Sequence, residues 1–184
     1  MLKFKIKILK NYKIYIARIP EKLSKKELSL LHCGELKLAK YYKSNDRKLE
    51  FLASRLLFHL ITACKDPVLK SSNGRPLFPA PWNGTITHKD NIIVLCLSKK
   101  KEESLGIDLE YQFIPPLVFQ RISTSEEQAM TRKSVNQENI LHGLIFSCKE
   151  SVYKCYNNIL NINLSLQKII ILDICITKKE WSGK

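Results

Sequence analysis

Nowhere in the 184 residues is there an apolar run near the roughly 20 residues that a membrane-spanning helix needs. Cysteine occurs six times but never as a C-x-x-C pair, and the four histidines do not join the cysteines at zinc-ligand spacing. A structural zinc site is therefore not expected, and the thiols read as reduced groups of a cytosolic protein. Acids are scarce: 17 Asp and Glu stand against 31 Lys and Arg, a net charge of +14. Such a field favours an anionic ligand, an acidic protein or nucleic acid. The lysines run from end to end, however, and Trp82 and Trp181 fall in segments that read as loop or terminus. A nucleic-acid-binding module would want clustered cations with exposed aromatics for stacking, so that rival is not favoured. The start, "MLKFKIKILK", is interrupted by Lys3, Lys5 and Lys7, which does not suit a secretory signal. Its alternation with Leu2, Phe4, Ile6 and Ile8 predicts a half-buried strand.

The apolar content of 45% and charged content of 26% are those of a globular chain. Its length suits one domain, or two small halves on a shared core. Residues 2–19 read as two strands around "KNY", and 24–63 as helical, opened by Ser24 with Glu27 as its capping-box partner. "KDPVLKSSNGRPLFPAPWNG" is loop, and "TITHKD" and "NIIVLCLS" are strands joined by a turn at 89–91. "LGIDLEY" reads as a further strand. Thr124 with Glu127 opens a helix, residues 139–158 form the clearest helix, and "LQKIIILDICI" is a last strand. The order predicts an α+β fold without an obvious sequence repeat.

On a strand, Asp108 and Glu110 would share a face, and two such carboxylates repel unless a cation lies between them. Hard oxygen ligands of this kind suit Mg²⁺, which also takes phosphate oxygens from a substrate. In "FSCKESVYK", Glu150 and Lys154 are i,i+4 neighbours on one helix face. As a surface ion pair they would be worth only about 0.3–0.5 kcal/mol. As a third carboxylate and a lysine for phosphates, they would complete a metal site. Upstream, Thr87 and His88 offer a hydroxyl and an imidazole to an anionic oxygen, and Arg75 follows the flexible Gly74 with a guanidinium fork that matches phosphate.

These motifs together resemble the 4'-phosphopantetheinyl transferase superfamily, in its larger, pseudo-dimeric class and nearest to the enterobactin synthetase component D type. "NGRP" corresponds to the G-K/R-P element, "PAPWNGTITHKD" to the element ending G-S-I-S-H, "LGIDLEY" to G-I-D-I-E, and "FSCKESVYK" to F-S-x-K-E-S-x-x-K. "EFLASRLLFHL" is similar to that group's arginine-bearing first helix, and the likeness spans about residues 40 to 155.

The resemblance implies two similar α+β halves related by a pseudo-twofold axis, with the site in the cleft between them. Residues 1–100 would be the N-terminal, CoA-binding half, and 101–184 the half with the metal carboxylates. About thirty residues follow Lys154, so the second half is expected to be shortened. It further implies that Asp108, Glu110 and Glu150 hold Mg²⁺, with Glu150 or a water it orients as base. Lys154, His88 and Thr87 would contact CoA phosphates, and Arg75 and Arg55 would lie near the nucleotide's phosphates. Glu126 corresponds to a further acid, and Lys149 would support the site. The implied activity is Mg²⁺-dependent transfer of 4'-phosphopantetheine from coenzyme A to a serine of an apo-acyl or peptidyl carrier protein, with siderophore biosynthesis such as that of enterobactin as one setting. The alternative is a non-catalytic relative that binds CoA without transferring it. A chain holding both halves has less need to pair and is expected to be a cytoplasmic monomer.

Overall fold

A computed structural model describes residues 2–9, 12–100, 102–110, 114–132, 138–160, 164–175 and 180–183. It is α+β, and it divides into two compact units, Met1–Ile107 and Asp108–Lys184. Among the described residues, no helix is long and apolar enough to cross a membrane.

The first unit opens with β1 (Phe4–Leu9) and β2 (Tyr12–Arg18). Three helices follow: α1 (Lys25–Leu28), α2 (Cys33–Ala39) and α3 (Asn45–Thr62). A short hairpin comes next, β3 (Leu69–Lys70) with β4 (Pro76–Leu77), and then β5 (Asn83–Lys89) and β6 (Ile92–Ser98). β1, β2, β6 and β5 make one antiparallel sheet in that order. Asp90 and Asn91 link β5 to β6 with φ of 42° and 61°. This is the left-handed pair that a two-residue hairpin needs and that Asp and Asn tolerate. Phe51, Leu52, Leu56, Leu57 and Phe58 of α3 form a core with Ile93, Leu95 and Leu97 of β6. At Gly84 a Cβ would come within 2.7 Å of Leu97 and 2.9 Å of Phe78, so only glycine lets β5 lie this close under that ring.

Two expectations for this unit need correction. The helical pattern from 24 to 63 is three helices, because capping residues restart it. Ser24 and Glu27 form the expected capping box, but His32 also caps α2, its Nδ1 accepting from the Gly34 N–H, and Ser44 caps α3. The apolar row of β1 is not half-buried throughout: Leu2 is buried, whereas Ile6 and Ile8 are 55% and 69% exposed. β1 is the sheet's edge, paired among the described strands only with β2, and so has fewer neighbours to cover it.

A buried polar brace joins α2 to α3. The Glu35 carboxylate accepts from the Val68 N–H (2.9 Å) and the His32 N–H (3.0 Å), and lies 2.9 Å from His59 Nε2. His59 Nδ1 lies 2.6 Å from the Cys64 carbonyl. Both ring nitrogens thus face acceptors, which only an imidazolium can satisfy. Burial pushes Glu35 up and His59 down, but these hydrogen bonds outweigh it, leaving Glu35 below and His59 above their ordinary values. The lowered acid contributes stability above pH 4.5 that is lost as pH falls through its folded value. The raised histidine contributes stability below pH 6.5 that is lost as pH rises through its folded value. The melting-temperature gap between the wild type and Glu35→Gln should therefore peak between pH 4.5 and 6.5 and narrow on both sides. A gap independent of pH would contradict the charged pair.

The second unit contains α4 (Pro116–Ile122), α5 (Ser125–Arg132) and α6 (Glu138–Leu160). A 3₁₀ turn at Leu166–Lys168 leads to β7 (Ile171–Cys175), which pairs with β8 (Glu180–Gly183). Phe119, Ile145, Cys148, Ile169 and Ile171 are central to its core. The apolar stripe of α6 is only partly covered: Leu141 and Ile145 are buried, but Leu144 and Ile159 are exposed. Thr124 and Glu127 form the expected capping box, each backbone N–H donating to the other's side chain. Glu127 and Lys149 are both fully buried and 2.7 Å apart. The Lys149 ammonium also donates to the carbonyls of Ile122, Leu166 and Ile169, and Glu127 accepts from the Ile171 N–H.

The expected strand "LGIDLEY" is absent among the described residues: 102–110 belong to no strand, and Tyr111 lies outside them. Gly106 and two acids are poor strand formers, and alternation makes a strand only where a partner edge is present.

Candidate functional site

The second unit gathers the acids. On α6, Cys148 and Lys149 point into the core, and the 100° step per residue carries Glu150 and Lys154 to a neighbouring face that is only partly covered. The Lys154 ammonium donates to Asp108 Oδ1 at 2.5 Å, tying the helix to the segment before α4. Burial pushes the Glu150 carboxyl above its ordinary value; the Lys154 charge opposes this, while Asp108 and Glu110 add to it. Burial likewise pushes the Cys148 thiol up to about 12, helped by Asp108. Asp108, Glu110 and Glu150 are thus near enough to share one electrostatic field. Among the described residues, however, no three Cys, His, Asp or Glu side chains form a group that could hold a metal ion as they stand. The donor chemistry nonetheless fits a hard divalent cation: the atoms are all carboxylate oxygens, and their mutual repulsion at a partly buried place is what added positive charge relieves.

Two neighbouring residues have other positions. Lys149 is wholly engaged in the core, in its contacts with Glu127 and three carbonyls. Glu126 is exposed in the first turn of α5, where its own backbone N–H and then the Thr124 side chain hold its carboxyl below the usual range.

The first unit holds a cavity of about 370 Å³ between α3, the β3–β4 hairpin and β5. Arg55 and His88 line it. Arg55 is buried, with its guanidinium 3.9 Å over the Phe51 ring and donating to Ser54 Oγ and the Val68 carbonyl. Burial lowers its pKa to about 10, so it stays charged. Arg75 follows Gly74 and precedes Pro76, both lining residues, in a turn that Ser71 ties to the Arg75 backbone. Thr87 is buried and does not line the cavity: strand alternation turns it to the other face of β5, opposite Val94, while Ile86 and His88 face the cavity. The structure therefore separates Thr87 from His88.

Sequence reasoning passed over Tyr42, Arg47, Glu50 and Lys70, which line the same cavity. A signal was available for two of them. Arg47, Glu50 and Ser54 recur at i, i+3 and i+7 beside Arg55, a polar stripe along the helix.

Residues 104–180 match the family model described as 4'-phosphopantetheinyl transferase superfamily. The matched span includes Asp108, Glu110, Glu150 and Lys154. No curated protein matches the chain.

Proposed function

We propose that the protein transfers the 4'-phosphopantetheine group of coenzyme A to a serine of an apo-acyl or peptidyl carrier protein, releasing adenosine 3',5'-bisphosphate. What supports this reading is the contact of Lys154 with Asp108 beside the half-buried Glu150, whose carboxyl Asp108 and Glu110 help push up, inside the span that matches the transferase superfamily. The three carboxylates would hold Mg²⁺, which supplies charge neutralisation at the pyrophosphate of CoA. The serine Oγ forms the new bond to the β-phosphorus, and the bond from that phosphorus to the bridging oxygen breaks. Glu150 takes the serine proton, directly or through a water it orients. The Lys154 ammonium stabilises negative charge on the departing phosphate. His88 and Arg55 would take the nucleotide's phosphates in the cavity of the first unit. Carrier proteins that are acidic would be drawn by the net charge of +14.

Assignment to the larger, two-half class draws support from a repeated device. In each unit a capping-box acid, Glu35 or Glu127, binds a cationic side chain of a long helix, His59 or Lys149. In each it also accepts a backbone N–H from the segment after that helix, at Val68 or Ile171. The motif likeness to the enterobactin-type member makes a siderophore carrier the first substrate to try.

The deciding experiment incubates a panel of apo-carrier proteins with the protein, CoA and magnesium, and reads the serine adduct by mass spectrometry. His88→Ala should raise the apparent KM for CoA by about tenfold or more, the worth of one hydrogen bond to a charged group, and leave kcat nearly unchanged. A change confined to the carrier's KM would contradict the assignment. A second reading, CoA binding without transfer, is favoured by the engagement of Asp108 by Lys154, with no group of three metal-ligating side chains among the described residues. CoA binding in calorimetry with every carrier left unmodified would select it.

A further inference from the structure

The cavity of the first unit is walled by the cations Arg47, Arg55 and Lys70 and by the imidazole of His88, yet among its described lining residues there is one acid, Glu50. A single oxygen of that acid serves Arg47 and His88 together. Glu50 Oε2 accepts from Arg47 Nη1 at 3.1 Å and lies 3.4 Å from His88 Nδ1. These are the contacts that one phosphate oxygen would make with the same two residues. The Glu50 side chain is 20% exposed and that of Arg47 63%, so both can rotate without disturbing the core.

We propose that Glu50 is a built-in counter-ion, an internal stand-in for a ligand phosphate that sets how tightly the cavity binds anions. An entering phosphomonoester takes over Arg47 and His88 and displaces the carboxylate from them. Glu50 then either faces the phosphate as a like charge or swings away, and either course lowers affinity relative to a neutral side chain of the same shape. The cavity is thereby tuned for release as well as capture, which matters where the product keeps the same phosphate group as the substrate. The identification of the ligand as CoA rests on the function proposed above; the role of Glu50 does not.

Glu50→Gln tests this, since the amide keeps the shape and removes the charge. Removing one like charge about 5 Å from a bound phosphate should tighten inorganic phosphate binding by about tenfold at the intermediate effective dielectric of a half-open site. Adding His88→Ala to Glu50→Gln should cancel the gain. Affinity in every variant is read by calorimetric titration with inorganic phosphate, and in the wild type the site of binding is read from the His88 ring resonance, assigned by its loss in His88→Ala. In the wild type, saturating phosphate should move the His88 resonance. Unchanged or weaker binding in Glu50→Gln, a gain that survives loss of His88, or an unmoved His88 resonance each overturns the proposal. Parallel titrations with CoA and carrier modification assays separate the two ideas. Tighter phosphate binding without CoA binding or transfer upholds Glu50 and sinks the transferase reading, whereas transfer with no gain in Glu50→Gln does the reverse.

Discussion

Glu150→Gln should lower pantetheine transfer by about a thousandfold or more, the scale on which charged groups acting on a transferring phosphoryl are felt. The fold should survive, and without metal the melting temperature should stay level or rise. The reason is local. Burial already disfavours the ionised Glu150, and Asp108 and Glu110 add like charge that Lys154 only partly offsets. Stability alone would not place a carboxylate there, and removing its charge relieves the repulsion. Asp108→Ala should also end transfer, but it further strips Lys154 of a 2.5 Å partner. Near-normal transfer in Glu150→Gln, or a marked fall in its melting temperature, would move the chemistry elsewhere.

The second large effect concerns Lys149, the residue beside Glu150. Glu127→Ala leaves the Lys149 ammonium fully buried with three carbonyls and no counter-charge. Breaking such a pair costs about 3–5 kcal/mol, which is a large part of the 5–15 kcal/mol that holds a typical domain together. The same change removes the acceptors of the Ile171 and Thr124 N–H groups. Urea unfolding followed by circular dichroism should show the loss. Hydrogen exchange should find α5, α6 and the start of β7 opening first. The charge-free pair Glu127→Gln with Lys149→Met should recover part of the deficit, because no uncompensated ion remains. A single Glu127→Ala variant as stable as the wild type would mean that the ammonium finds water instead.

Much of this was legible before any coordinates. The capping boxes at Ser24–Glu27 and Thr124–Glu127, the hairpin around Asp90 and Asn91, and the long helix carrying Glu150 and Lys154 all follow from spacings of four residues or fewer. Strand alternation also separates Thr87 from His88, although paired side by side in sequence they invited a shared role. Other features gave no local sign. His32 is an unusual helix cap, marked as one by its Nδ1 accepting from the Gly34 N–H and by Glu35 accepting from its own N–H. Lys149 stands between Cys148 and Glu150, and nothing in that order tells a core ammonium from a site ammonium.

Residue order alone determined which groups could do chemistry and which helix face would carry them, since those depend on near neighbours and on the fixed turn of a helix. Tertiary structure decided which charges meet. Glu35 with His59, Lys149 with Glu127, Lys154 with Asp108 and Glu50 with His88 are contacts across 22 to 46 residues of chain. A pairing at that range is chosen by how buried surfaces pack and by where an ion can find a partner out of water, and no local spacing encodes that choice.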